Sequence, residues 1–401
     1  MASSPGFAPR VAVAGAATAK WVIYDTLGAV EPIWRELESR AVMTPYQRFD
    51  WIAACVDAGL AKGETLAFLV MSTAGRPIAI LPLQIGRAFG GRVARVVGWS
   101  VSNGDGLIYD PAHAACITPA AMAEATRALA AHGRHADMLR FHHVAAVWEG
   151  HANPLMALPH TDAPNSLYVR CFETSDGPFI ERELPHKRRT NIRRSQRRLE
   201  ERFGMLSLCR ARTPDDVEEI YRRFSDQRAK RFHKMGVENI FARPHFDRLL
   251  RGGALEALGG KDAVVTLHAL YGGDTVLATS VGVRTPTHYS QYINSTAEGD
   301  AAKYSLMGVL MSLLMDELRA DGVECVDMGL GDFDYKTDWT EAVGTHDIVL
   351  PVSARGRVLA PTVSALRAAK RTIKGNARLW RATRGLLAVR TRLRALAGRS
   401  R

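Results

Sequence analysis

VVTLHALYGGDTVLATSVGVR, residues 264–284, is the stretch on which the fold reading turns. Two apolar, β-prone runs flank Gly272-Gly273-Asp274, and glycine supplies the positive φ that a tight hairpin turn needs. The same plan stands roughly two hundred residues upstream in LAFLVMSTAGRPIAILPLQIG (66–86), with its turn at Thr73–Arg76. Helical pattern precedes each hairpin: Glu31–Arg40 and Pro45–Leu60 before the first, Pro214–Lys234 and Pro244–Arg251 before the second. Thr213 is placed as an N-cap. A helix, helix, hairpin order that occurs twice predicts a duplicated α/β unit. The join falls near 160–180, where Pro154, Pro159, Pro164 and Pro178 interrupt any long element.

Beyond the second hairpin, PTHYSQYINS (286–295) reads as a strand, TAEGDAAKY (296–304) as a loop, Ser305–Ala320 as a helix and VECVDMG (323–329) as a strand. In the first unit a helix over 119–132 and a strand over 138–144 occupy the matching places. The predicted organisation is a disordered N-terminus (1–20), a first unit (21–165), a second unit (166–350) that carries the chemistry, and a basic tail (351–401).

The composition is globular, with 47% hydrophobic and 23% charged residues. No run of apolar residues is long enough to span a bilayer. The formal net charge of +12 is unevenly spread. Residues 351–401 hold 14 Lys/Arg and no Asp/Glu, which leaves 39 basic against 41 acidic residues, a net of −2, for 1–350. The basic character is therefore a property of the tail and does not argue that the body binds polyanions or a specific nucleic acid. Cys55, Cys116, Cys171, Cys209 and Cys325 are odd in number, scattered and without C-x-x-C spacing, so neither a disulfide framework nor a zinc site is expected. A reducing, cytoplasmic setting is the corresponding expectation.

Four stretches resemble the CelD-like branch of GNAT N-acetyltransferases, which is related to the FemAB aminoacyltransferases and associated with cellulose, holdfast and other exopolysaccharide synthesis. They are TPYQRFDWIAACV (44–56), ILPLQIG with GWSVSNGDGLIYDP (80–86, 98–111), KRRTNIRRSQRRLEERFG (187–204) and DMGLGDFDYKTDW (327–339). The resemblance implies two tandem GNAT-like domains with mixed sheets flanked by helices. It also implies transfer of an acetyl group from acetyl-CoA to an amino sugar of an exopolysaccharide precursor, with a sugar or lipid-linked glycan as substrate and no metal. The usual GNAT pyrophosphate loop, R/Q-x-x-G-x-G/A, is replaced by GDAAKYSLMG (299–308). Two rival functions stand beside this one: a FemAB-like aminoacyltransferase, and a GNAT fold that senses an anionic ligand without catalysis.

Acyl transfer from a thioester needs a base, oxyanion donors and an acid for the thiolate. By resemblance Asp332 is the general-base carboxylate, Tyr335 the acid and Lys336 a polarising cation, while Trp339 packs. Glu298, just after the central strand, is placed to activate an amine. The helix starting near Ser305 offers free N–H groups for the donor's phosphates, with Lys303, Tyr304 and Gly308 completing that seat. Arg188, Arg189, Arg193 and Arg197 of the basic helix suit phosphate forks, with Ile192, Leu199 and Phe203 as its buried stripe. Arg228 is a further substrate contact, and His288 reads as a satisfied, half-buried histidine. In the tail, Leu366, Ile373, Trp380 and Leu387 recur every seven residues under a Lys/Arg coat. That pattern suits a peripheral, detachable helix on the anionic inner membrane surface, or a cyclic dinucleotide held by the same arginines.

Overall fold

The computed structural model describes residues 19–173, 177–256, 258 and 263–376. The N-terminal stretch expected to be disordered lies outside these residues as far as position 18, and Lys20 already belongs to a strand. Trp380 and Leu387 of the tail also lie outside them.

The first half runs β1 (Lys20–Tyr24), α1 (Leu27–Glu38), α2 (Phe49–Asp57), β2 (Thr65–Thr73), β3 (Arg76–Ala88), β4 (Gly91–Val96) and β5 (Ile108–Tyr109). It continues with α3 (Pro119–Ala131), β6 (Met138–Ala145), the short pair β7 (Val147–Trp148) and β8 (His151–Ala152), β9 (His160–Asp162) and β10 (Leu167–Cys171). The second half opens with α4 (Phe179–Glu183), α5 (His186–Phe203), β11 (Leu206–Arg210), α6 (Pro214–Met235), α7 (Pro244–Phe246) and α8 (Gly253–Glu256). It closes with β12 (Val265–Gly272), β13 (Thr275–Arg284), β14 (His288–Thr296), α9 (Leu306–Ala320), β15 (Cys325–Leu330), β16 (Glu341–Val343), β17 (Thr345–Pro351) and α10 (Ala354–Gly375).

Both expected hairpins form, as β2–β3 and β12–β13. Thr213 caps α6 through a capping box with Asp216, satisfying two of the amides that a helix start leaves free. The two sheets have orders β1-β2-β3-β4-β6-β17-β9, with β5 on β3, and β11-β12-β13-β14-β15-β10-β16. In each sheet the strand after the hairpin runs parallel to the strand beyond the crossover helix: β4 with β6, and β14 with β15.

The halves exchange strands. β10, which closes the first half as β17 closes the second although the division at 165/166 puts it in the second unit, lies between β15 and β16 of the second sheet. β17, from the end of the second half, lies between β6 and β9 of the first. Residues 345–350, read from the sequence as the close of the second unit, are thus part of the first sheet. The exchange also sets Cys171 beside Cys325, and the two form a disulfide across β10 and β15. This corrects the expectation of no disulfide: the partners are 154 residues apart, and only strand pairing joins them. It also removes the cysteine argument for a reducing compartment.

α1, α2, α6, α7 and α8 lie between the sheets in one shared core, where Trp34, Trp51 and Phe68 of the first half meet Phe224, Leu249 and Val265 of the second. Leu129 of α3 packs on the outer face of the first sheet. Ile192 and Leu199 of α5 join Leu310 and Leu314 of α9 on the outer face of the second, as the basic helix's apolar spacing predicts.

The tail expectation needs correction over 354–375. α10 is docked on the first sheet, with Ala360 and Val363 against Val93 and Met138. Three of its cations are committed to the body: Arg367 grips Asp347 at 2.5 and 2.7 Å, Arg371 reaches Asp162 at 3.0 Å and Lys374 bonds Asn165. Leu366, assigned to the apolar seam, is exposed while Val363 is buried. Among the described residues no helix is long and apolar enough to cross a membrane.

Candidate functional site

β14 and β15 pair over only three positions, His288↔Cys325, Tyr289↔Val326 and Ser290↔Asp327. β14 then runs on to Thr296 and β15 to Leu330, so the strands open into a wedge whose vertex is Ser290 and Asp327. Just past the vertex the register between β13 and β14 slips: Gly282 faces Gln291, Val281 faces Ile293, and Tyr292 is the extra residue of a bulge. A bulge leaves one residue outside the ladder, which frees backbone polar groups at the mouth of the wedge. Gln291 is buried, and its Nε2 has no hydrogen-bond partner among the described residues.

At the vertex a buried polar chain crosses from one half to the other. Asn103 Nδ2 donates to the Tyr46 hydroxyl at 2.6 Å, and Tyr46 lies 2.6 Å from Ser290 Oγ. Ser290 donates to Asp327 Oδ1 at 2.8 Å, which also takes the Gly329 N–H at 2.8 Å. Asp327 Oδ2 faces His288 Nε2 at 2.9 Å, and the His288 ring stacks on Trp148 with 4.2 Å between centroids. His288 is only 2% exposed, more deeply buried than its strand pattern suggested. Burial and the neighbouring Asp327 charge hold the Tyr46 phenol well above its ordinary pKa, so it is neutral. Tyr46, Asn103, Asp327, Trp148 and His143 line a cavity of about 20 Å³ between the halves, room for about one water. His143 has φ 52°, unusual for a non-glycine residue, and burial pushes its pKa down to about 3, so its imidazole is neutral.

The turn after β15 is arranged differently from expectation. The Lys336 ammonium is buried and donates to the carbonyls of Gly329 and Leu330 at 3.2 and 2.8 Å. It closes its own turn, which leaves it little capacity to polarise a substrate. Burial lowers its pKa to about 8, against the opposing pull of Asp327 and Asp332. Asp332 is exposed and accepts from the Tyr168 hydroxyl at 3.1 Å. Tyr335 is 39% exposed, with burial raising its pKa and Arg231 and Arg228 opposing. Arg228 bonds the Asn294 carbonyl on β14 at 3.3 Å, its guanidinium lies over Phe232 and Phe241, and burial lowers its pKa to about 10. Tyr335 and Arg228 therefore meet beside the long arm of the wedge. Trp339 packs, stacked on Phe179, as expected.

The phosphate seat expected at Lys303, Tyr304, Ser305 and Gly308 is covered. α5 lies across the start of α9: the Ser305 N–H donates to Ser195 Oγ at 3.3 Å, and a Cβ on Gly308 would stand 3.2 Å from Ile192. Tyr304 is half-buried in that packing. Lys303 turns outward to Asp300 at 2.7 Å, and Glu298 is exposed. The assigned arginines of α5 are paired to acids, Arg188 with Asp338 at 3.0 Å, Arg189 and Arg193 with Glu181, and Arg197 with Glu201 at 3.5 Å. Beside Arg188, an open groove of about 660 Å³ is lined by Lys187, Thr190, Asn191, Arg194 and Asp338.

Asp327, Ser290 and Tyr46 were not singled out by sequence reasoning. Asp327 and Tyr46 lie inside stretches that carry the family resemblance, yet nothing in them announces that Tyr46 meets Ser290, 244 residues away.

Residues 186–337 match the family model described as an acetyltransferase (GNAT) domain. The second half therefore carries a GNAT acyltransferase domain. Among solved structures, FemX has a TM-score of 0.55 at 10% identity, over 82% of this chain and 97% of that one. The two α/β halves of the protein together share the fold of FemX. L-PGS from Bacillus licheniformis (12% identity, 85% and 97% covered, TM-score 0.46) and a tandem GNAT protein of the clavulanic acid biosynthesis pathway (14%, 84% and 99%, 0.43) are more distant. No curated protein sequence matches the chain.

Proposed function

We propose that the protein transfers an acetyl group from acetyl-CoA to the amine of an amino sugar in an exopolysaccharide precursor. The observation that carries the reading is the wedge between β14 and β15, with its bulge at Tyr292 and the unpartnered Gln291 amide. The pantetheine arm of coenzyme A is an extended, amide-bearing chain, and an open pair of strands supports such a chain by extending the ladder. Backbone N–H groups freed by the bulge are the kind of donor that stabilises a developing oxyanion. Tyr335, beside Arg228, is the proposed acid for the departing thiolate, and Asp332 orients the sugar. Lys187 and Arg194 in the α5 groove are the proposed phosphate contacts in place of the covered start of α9. The acceptor class rests on the resemblance of residues 44–56, 80–111, 187–204 and 327–339 to the CelD-like branch. The anionic membrane surface is the proposed partner of the basic sequence beyond Asn376.

A second reading, aminoacyl transfer from aminoacyl-tRNA, is favoured by one specific observation: Ser195 takes the N-cap amide of Ser305 at the start of α9, where a coenzyme pyrophosphate would otherwise sit. Incubation of the full chain with radiolabelled acetyl-CoA and partly deacetylated N-acetylglucosamine oligomers, with and without ribonuclease, tests the first reading. Label transfer that survives ribonuclease supports it. Transfer seen only with aminoacyl-tRNA and abolished by ribonuclease supports the second. Absence of both points to the non-catalytic fold.

A further inference from the structure

The wedge vertex is unusual in being polar, buried and tied to the other half of the molecule. Four side chains from four separate elements stand in one line, and their donor and acceptor roles run one way. Asn103 can only donate through Nδ2, so the Tyr46 oxygen accepts there. Ser290 donates to Asp327 Oδ1, so its own oxygen is left to accept from Tyr46. The direction is thus Asn103 to Tyr46 to Ser290 to Asp327, ending on the one carboxylate. The Tyr46 hydroxyl accepts from Asn103 and donates to Ser290, and Tyr46 also lines the water-sized cavity from which a proton could reach it.

We propose that Tyr46, Ser290 and Asp327 form a proton relay across the seam between the halves, which removes the proton that the acceptor loses during acyl transfer. The proposal rests on the acyl-transfer reading above. As the acceptor nitrogen bonds to the acyl carbon, its proton passes to Tyr46, directly or through one water in the cavity. Tyr46 gives its own proton to Ser290, and Ser290 gives its proton to Asp327. The C–N bond forms, the C–S bond to coenzyme A breaks, and the thiolate takes the proton of Tyr335, which solvent replaces. Asp327 returns its proton to solvent by the reverse route once the product leaves, so each turnover closes with the relay restored. The neutral state of Tyr46, imposed by burial, suits a residue that passes protons without holding charge. The arrangement also assigns a task to the first half, which would donate the entry point of the relay while the second half supplies its end.

The test uses full-length wild type, Tyr46→Phe, Ser290→Ala and the double variant, assayed with acetyl-CoA and a glucosamine oligomer. The relay predicts a kcat fall of about 30- to 100-fold in either single variant, with the acceptor KM held within about twofold. The double variant should match the singles within about twofold, because one break already interrupts the line. A proton inventory in H2O/D2O mixtures should be curved for wild type and linear for the variants. Single variants within about threefold of wild type, or losses that multiply in the double, overturn the relay while leaving the acyl-transfer reading intact. Wild type without any transfer overturns that reading and the relay with it. Variants that fail to fold, Ser290→Ala included, show that the chain of bonds is structural and overturn the relay as well.

Discussion

Gly329 and Asn103 meet at the seam so closely that a Cβ on Gly329 would stand 2.8 Å from Asn103 Nδ2. Gly329 also has φ +68°, a conformation that side chains rarely adopt. The residue is glycine for two reasons at once, backbone angle and close approach. Gly329→Ala is expected to cost about 2–3 kcal/mol in urea unfolding. In an Asn103→Ala background the steric part is relieved, and the cycle should return a coupling of about 1 kcal/mol. A purely additive cycle would show that Asn103 exerts no pressure on the turn.

The exchange of β10 and β17 makes each sheet depend on the other half of the chain. A chain ending at Gly344 lacks β17, which leaves β6 paired only with β4 and detaches β9 from the first sheet. Its Tm is expected to fall by at least about 10 °C, or the protein to be recovered only as aggregate. A chain ending at Asn376 retains β17 and the docked α10, and should melt within about 2 °C of the full chain. A stable, cooperative 1–344 would contradict the exchange as a folding requirement.

Lys336 provides a pH signature. Its pKa is lowered from 10.5 to about 8 by burial, so the unfolded chain holds one proton more than the folded chain between those values. The charge penalty is in full force below pH 8 and is relieved as pH climbs towards 10.5. Stability of wild type relative to Lys336→Met should therefore rise across that window, as read from urea midpoints at pH 7.5, 9 and 10. A flat difference would mean that the ammonium is not held in a desolvated place.

Much of the architecture is legible in the order of residues because its causes are local. The Thr73–Arg76 and Gly272–Asp274 turns depend on neighbouring residues, as does the capping box at Thr213. The apolar stripe of α5 is set by helical period, and Ile192 and Leu199 are fully buried where that period places them. The site was less readable. Lys303, Ser305 and Gly308 were sound candidates for an anion seat by local chemistry, but α5, from more than a hundred residues earlier, lies over them. Lys336 sits in a charged motif, and only its burial under the turn shows that two of its three donors are spent on backbone carbonyls.

Local sequence alone determined the two hairpins, the helices that precede them and the concentration of positive charge beyond residue 350, because propensity, turn chemistry and composition act over a few residues. Tertiary structure decided the strand exchange, the Cys171–Cys325 disulfide, the docking of α10 and the meeting of Tyr46 with Ser290 and Asp327. Each of these joins residues far apart in the chain. Such contacts are selected by the pairing and burial of whole sheets, and no short window of sequence carries that information.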